Sequence, residues 1–590
     1  MIRLIPRAAA AQSPEQVTGD HTPATGSRPF ASTRDKRTIA LPVLLAGGGD
    51  WMKLLLAALV ASTALQGQEI RHTPLDEFVD ERHSDPTFHY EETGQVITGM
   101  CNGNTGRWQA TVLMVHSLNW LDLETVDRTL WRHQVAHVEP VGDLLDDRFD
   151  DSLTLWITGG RDSNVDREWK ETDDELLATA AMVCKFGVRA AVLKQIPSQA
   201  LCWKDEAHLD PPKCRSEDDL IARTWREYVE EPEKAHATRT AHMAMTRATT
   251  TVMDVLQQWS RETYRTVPAE FVVAGGSKRG WTAWLTAAVE YDKRVVAVMP
   301  IVLDILDFFP QVDRIWRSFG GWPWALYSYF NQDLIVHFDN PRMKELMSFT
   351  DPIEYVQQGR FDKLPTLIVS GVADEFFMPD NIAEWWPMRS TGLDQRREDA
   401  AFFNVRHGPN CNHPFIFPGC PVEAVLLSGA AWIKTVLAQR RGLLQPSDMP
   451  KYEWRVNSET GAIEVEFPEH SPVPVAARVF SARTSPFSGK RDFRWISGWP
   501  PRPKSPVVWT SEPLEPLDDD SRHWRAVKTV SKTVEAQKQY WRGFFIEFDF
   551  EVGQDDLKFE WSSSTGVSVV PRTYPYKSCA GGEACRGKLL

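Results

Sequence analysis

Three residues have the types and the chain order of an acyl-transfer site: Ser277, Asp374 and His413. A free serine hydroxyl is a poor nucleophile. An imidazole must take its proton, and a carboxylate must orient that imidazole and stabilise its charged form. Ser277 lies in Phe271-Val-Val-Ala-Gly-Gly-Ser-Lys-Arg-Gly-Trp281. An apolar run enters a Gly-rich turn, and a helix-compatible run, Trp281–Tyr291, follows. This is the strand–turn–helix setting of a nucleophile elbow. A helix starting under the serine aims its backbone N–H groups at developing negative charge. The spacing is G-x-S-x-x-G: Arg279 holds the second Gly position and Gly280 comes one residue later. A plain Gly-rich turn would show the same residues, so the weight falls on the two partners.

The acid and base follow in the required order. Thr366-Leu-Ile-Val-Ser-Gly-Val-Ala-Asp374 reads as a strand ending in Gly and then Asp, with Glu375 and Asp380 as nearby rivals. The strand Ala401–Val405 runs into His407-Gly-Pro-Asn-Cys-Asn-His413. His413 is preferred over His407. It stands farther from the strand, and a Cys411–Cys420 bridge would pin its loop. An oxyanion needs donors from the elbow and from the loop after an earlier strand. The Lys278 backbone N–H and that of Gly160 or Arg161, after Leu153–Ile157, are the candidates. The Lys278 side chain would add positive charge, as in esterases with this motif spacing, glucuronoyl esterases among them. Gly159-Gly160 also reads as a simple turn. No Cys/His spacing resembles a zinc site, so no metal or organic cofactor is expected.

Positioning these residues requires a sheet. Strand-length apolar runs recur at Ala110–Val115, Gln134–Val138, Leu153–Ile157, Arg189–Leu193, Glu270–Ala274, Arg294–Met299, Thr366–Val369 and Ala401–Val405. Helical periods fall at Thr172–Lys185, Glu217–Val229 and Ala241–Tyr264. That alternation predicts a mostly parallel α/β sheet covered on both faces. Residues 304–365 read as a helical cap insertion, with Trp316, Trp322, Trp324, Tyr327, Tyr329 and Phe330 at its centre. Trp385 and Trp386 follow the acid. These rings line a pocket or pack the cap on the sheet. Residues 68–450 form the α/β part; beyond it, Glu453–Val456, Ala462–Phe467, Val475–Phe480 and Phe544–Phe550 alternate, predicting an all-β sandwich over 451–590. The Pro-rich stretch 498–516 reads as a surface loop.

Met52-Lys53 followed by the apolar run Leu54–Leu65 matches a signal peptide over 52–67. Residues 1–51 then read as a disordered or mis-annotated extension. The eight Cys all follow this segment, as disulfides in an exported protein would. Cys202/Cys214, Cys411/Cys420 and Cys579/Cys585 are close enough to pair locally. Net charge is −14 with no basic block, which argues against nucleic acid. No apolar run reaches membrane-span length.

These blocks resemble the PhoPQ-activated pathogenicity-related protein family, which includes secreted bacterial proteins and an autocrine proliferation repressor. The likeness rests on Ser117-Leu-Asn-Trp-Leu121, Trp131-Arg-His133, Thr158-Gly-Gly160, Met253-Asp254, Ser277-Lys-Arg-Gly-Trp281, Asp374-Glu-Phe-Phe-Met-Pro-Asp380, Pro409-Asn-Cys-Asn-His413 and Arg491-Asp-Phe-Arg494. The resemblance implies an α/β-hydrolase-like domain with a C-terminal β-sandwich, and it puts the family's candidate histidine at His413. The expected function is a secreted serine hydrolase acting on a small-molecule, peptide or carbohydrate ester or an amide. The alternative is an idle hydrolase fold serving as an extracellular signal or ligand-binding protein.

Overall fold

The structure, a computed structural model, describes residues 71–101, 106–209, 213–263, 266–416, 418–503, 507–530 and 540–590. The stretches 1–51 and 52–67, expected to be an extension and a signal peptide, lie outside the described residues.

The strands of the α/β part are β1 (His89–Met100), β2 (Arg107–Asn119), β3 (Leu130–Val141), β4 (Ser152–Ile157), β5 (Arg189–Leu193), β6 (Glu270–Gly276), β7 (Val295–Ile301), β8 (Thr366–Gly371) and β9 (Phe403–Gly408). Beyond them come β10 (Glu453–Val456), β11 (Ile463–Glu466), β12 (Ala476–Arg483), β13 (Thr510–Pro513), β14 (His523–Ala526), β15 (Arg542–Val552), β16 (Phe559–Ser564) and β17 (Ser568–Val570). The main sheet runs β1-β2-β3-β5-β4-β6-β7-β8-β9-β16-β15-β12-β13. The stretch β5-β4-β6-β7-β8-β9 is parallel, while β1, β2 and β3 pair antiparallel in turn and β3 joins β5 antiparallel. That is the α/β-hydrolase arrangement. The central strands are covered on both faces: every residue of β8 and of β9 is buried, the polar Asn404, Arg406 and His407 included.

The helices that matter here are α1 (Pro74–Asp80), α2 (Asp174–Phe186), α3 (Asp218–Glu230), α4 (Ala241–Thr263), α5 (Lys278–Glu290), α6 (Phe308–Phe319), α7 (Tyr327–Asn331), α8 (Pro341–Thr350), α9 (Pro352–Gln357), α10 (Asn381–Trp385) and α11 (Val422–Arg440). Alternation along β5 separates the faces: Ala190 and Val192 pack with Leu176 and Val183 of α2, while Ala191 and Leu193 join the core around α4 and α5. Among the described residues only α11 is long and apolar enough to cross a membrane, and most of it is buried. The segment between β7 and β8 forms the expected cap, α6 to α9. The C-terminal tail holds it down: Trp322 N donates to Lys588 O (2.9 Å) and Leu590 N to Trp322 O (2.8 Å).

The C-terminal strands form two layers. β10, β11 and β14 make a separate sheet. Tyr452, Phe467 and Trp524 pack on Phe548 of β15, with ring centroids 5.3, 5.2 and 5.6 Å apart. The opposing layer, β16-β15-β12-β13, continues the hydrolase sheet through the pair Val405↔Ser564. The stretch 498–516 is not all loop. Ile496–Ser497 pairs with Arg502–Pro503, and β13 pairs with β12. Every residue of β13 is exposed, so no apolar period announced it.

All eight cysteines are bridged: Cys101–Cys184, Cys202–Cys214, Cys411–Cys420 and Cys579–Cys585. The three local pairs follow the spacing. Cys101–Cys184 spans 83 residues and depends on the fold bringing the end of β1 to α2.

Candidate active site

The turn after β6 places Ser277 at φ 58°, ψ −127°, a left-handed conformation that costs a non-glycine residue energy. Two hydrogen bonds hold it there. Ser277 N donates to Ile301 O at the end of β7 (2.8 Å), and Trp281 N donates to Ser277 O (3.0 Å), starting α5. The shifted glycine of the motif has a packing reason. A Cβ on Gly280 would stand 2.9 Å from Ile301 O, so the first turn of α5 could not lie against β7.

Ser277 meets both predicted partners. His413 Nε2 lies 2.8 Å from Ser277 Oγ, and His413 Nδ1 lies 2.8 Å from Asp374 Oδ2. Asp374 is fixed by the backbone N–H groups of Phe376 (2.6 Å) and Phe377 (3.2 Å), which donate to Oδ1. The histidine loop is tied by the Cys411–Cys420 bridge and by Ala373 N donating to Cys411 O (2.9 Å). Burial opposes the charged form of His413. The Asp374 carboxylate outweighs that by charge and hydrogen bond, so its pKa stands above the ordinary imidazole value.

The rivals take other places. His407 is buried within β9, 5.1 Å from the Phe545 ring, and burial pushes its pKa down to about 3. Asp380 is clamped by Arg491 (Nη1 to Oδ1, 3.0 Å) and Arg314 (Nη2 to Oδ2, 2.6 Å). Glu375 is a positioning group: it accepts from His413 N (3.1 Å), Ile496 N (3.3 Å) and Asn412 Nδ2 (3.5 Å). Burial and the neighbouring Asp374 charge push its pKa up to about 7. A third carboxyl, Asp304, lies behind, accepting from Ser370 Oγ (2.7 Å). Burial raises it to about 7 as well, against that hydrogen bond and with the charge of Asp374. Neither role was visible in the sequence, because each arises from desolvation that only the fold creates. The one signal was the adjacency of Asp374 and Glu375.

Lys278 opens α5, and Gly160 and Arg161 follow β4, whose end pairs beside the elbow strand at Ile157↔Gly275. Arg161 bridges to Gln199. The Lys278 ammonium does not stand free: it contacts Glu217 Oε2 (2.9 Å) and Asp218 Oδ2 (3.1 Å). Arg279 spans from the elbow to the neighbouring loop. Its Nη2 donates to Glu217 Oε1 and its Nε to Ile196 O, both at 2.6 Å. A Cβ on Gly159 would lie 2.5 Å from Arg279 Nη2, so the bare Gly159 is what lets the guanidinium pass. Burial would raise the Glu217 pKa, but Arg279 and Lys278 hold it well below the usual carboxylate range. The acidic pair Glu217-Asp218 at the start of α3 is the sequence signal for this cluster.

A pocket of about 50 Å³ opens beside Ser277 and Lys278. Its walls are mostly apolar, with Trp225 of α3, Trp281 of α5, Phe308 and Val312 of α6, and Phe376 and Phe377 beyond Asp374. Asp218 is its acidic margin. Of the cap aromatics singled out in the sequence, Tyr329 lines it. Trp316 packs on Trp322 (5.4 Å), Tyr327 stacks on Trp499 (5.1 Å), and Trp386 stacks on Trp454 (4.7 Å). Most of those rings therefore hold cap, hairpin and sandwich together.

Comparison with known proteins matches residues 76–494 to the family described as PhoPQ-activated pathogenicity-related protein. Autocrine proliferation repressor protein A of Dictyostelium discoideum is 27% identical over 540 residues, which is 90% of this chain and 96% of that protein. Among solved structures, acetyl xylan esterase 1 from Thermoanaerobacterium sp. JW/SL YS485 is 13% identical, covers 62% of this chain and 92% of its own, and has a TM-score of 0.37. The acetyl xylan esterase from Paenibacillus sp. R4 is 15% identical, covers 63% and 98%, and has the same TM-score, 0.37.

Proposed function

We propose that this chain, which belongs to the PhoPQ-activated pathogenicity-related protein family, is a secreted serine hydrolase that cleaves an ester or amide. The reading rests on one observation, the unbroken relay from Ser277 Oγ through His413 to Asp374 with both links at 2.8 Å. Ser277 Oγ attacks the substrate carbonyl carbon while its proton passes to His413 Nε2. The carbonyl oxygen becomes an oxyanion, held by the Lys278 backbone N–H and a donor at Gly160 or Arg161. Collapse breaks the bond to the leaving group, which takes the proton from His413. Water then repeats the sequence on the acyl-enzyme and frees Ser277.

The size and apolar walls of the pocket favour a small acyl group or a short apolar side chain, with the leaving group outside. Four disulfides support export to an oxidising compartment. Assay of the purified protein against activated short-chain esters and amides tests the activity. Ser277→Ala should lower turnover by a factor of about 10²–10⁶ with the fold unchanged. Equal turnover by the variant would end the proposal. The name of the 27% identical relative supports a second reading, an extracellular signal on the same fold. That reading predicts growth repression that survives Ser277→Ala.

A further inference from the structure

The edge of the sheet far from Ser277 in strand order carries a cluster that acyl transfer does not use. β1 and β2 pair with His89 opposite His116. Side chains two apart on a strand share a face, so Glu91 stands beside His89. The two imidazole rings are 4.0 Å apart between centroids, and His89 Nε2 is 3.7 Å from Glu91 Oε1. One ligand atom from each of the three residues lies within 4.8 Å of the others. Zinc held tetrahedrally at its usual nitrogen and oxygen distances needs donors about 3.3 Å apart. His89 and Glu91 are exposed, so small side-chain rotations close that gap.

Two neighbours prepare the site. His89 Nδ1 lies 3.1 Å from Thr87 O. Donation of its N–H there leaves the Nε2 lone pair for a metal, the usual outer-shell arrangement for a ligating histidine. Arg132 on β3 is the cation paired opposite His116. Its guanidinium is bound to both Asp166 oxygens, at 3.1 and 3.3 Å, so an acid offsets its charge. Among the described residues β1 is the terminal strand of the sheet, and the exposure of His89 and Glu91 leaves room for the remaining coordination positions.

We propose that His89, Glu91 and His116 form a surface site for a divalent transition-metal ion of the zinc type. Two imidazoles and one carboxylate suit zinc, copper, nickel or cobalt, and not calcium or magnesium, which take oxygen ligands. Three protein ligands leave positions for water or for a donor from another molecule. The inference is independent of the hydrolase reading, since it shares no residue with that site.

The test is calorimetric titration of untagged, chelator-treated full-length protein with zinc chloride at about pH 7.5, repeated at about pH 5.5 where histidines protonate. The expected result is one saturable site per chain, weakened at the lower pH. His89→Ala and His116→Ala should each weaken it by about tenfold or more, with Glu91→Gln less severe. Calcium chloride should give no competing signal. Far-UV circular dichroism without metal should match wild type, which separates a lost ligand from a lost fold. Absence of saturable zinc binding, or binding that both histidine variants retain, overturns the proposal.

Discussion

At Ser277 the local rules and the global fold agree. A Gly-rich turn between an apolar strand and a helix is legible in sequence, and so is the chain order of serine, acid and histidine. What sequence cannot display is the field around them. His413 is raised by Asp374 and also by Glu375, whose own pKa burial lifts to about 7. The base must be neutral to accept the serine proton. Activity should therefore rise with pH along an acid limb above the ordinary imidazole range. Glu375→Gln keeps an acceptor for His413 N but removes a negative charge that favours imidazolium. The acid limb should move to lower pH, while plateau kcat changes by less than about tenfold. A pH profile of kcat/KM reads this. A limb that stays put, or moves upward, would show that Glu375 does not tune the base. Asp304 was equally hidden, because a carboxyl 66 residues from its partner Ser370 gives no local pattern.

At the scale of elements, the central strands are legible because both faces are buried and short apolar runs such as Leu153–Ile157 and Thr366–Val369 dominate them. β4 was expected over Leu153–Ile157 and spans Ser152–Ile157; β5 is Arg189–Leu193 in both. β1 escaped for the opposite reason. It is a mostly exposed edge strand with a bulge between Glu92 and Val96, so it carries no period. The cap reads as an insertion in the sequence, but its composition leaves open whether its rings line a pocket or pack; in the structure most of them join elements and Tyr329 lines the pocket. The loop carrying His413 depends on a covalent tie, Cys411–Cys420, enclosing the residue two positions on. Replacing both cysteines by serine should cost about 2–4 kcal/mol of stability. It should also lower kcat by about ten- to a hundredfold through a misplaced imidazole. Thermal unfolding and ester turnover measure the two effects separately. Unchanged kcat in the folded double variant would mean that packing alone, chiefly the Phe376 ring 4.4 Å from His413, places the base.

For the whole molecule, the elements described after residue 450 are the strands β10 to β17, the short pairing of Ile496–Ser497 with Arg502–Pro503, and a few short helical turns. Sequence could not show that one layer of that sandwich extends the hydrolase sheet. The join is a single strand pairing, and β-strand partners are not encoded by local period. The same limit hid the tail, whose last residues bond to the cap at Trp322. The tail bonds to the cap, the cap to the hairpin through Trp324 Nε1 on Ile496 O (3.1 Å), and Ile496 N on Glu375 is the hairpin's link to the site. Four disulfides in such an assembly fit an exported enzyme. N-terminal sequencing of protein recovered from the medium should find a start shortly after Ala64 to Gly67. Recovery of a cytosolic chain that still begins at Met1, with free thiols, would contradict export.

The central claim is that Ser277 is a nucleophile activated by His413 and Asp374. The most direct measurement is intact-mass and peptide mapping of the folded protein after reaction with a fluorophosphonate. The account predicts a single adduct on Ser277, absent from Ser277→Ala, strongly slowed in His413→Ala and retained in His407→Ala. No adduct on the wild-type chain, or one that persists in Ser277→Ala, would contradict it.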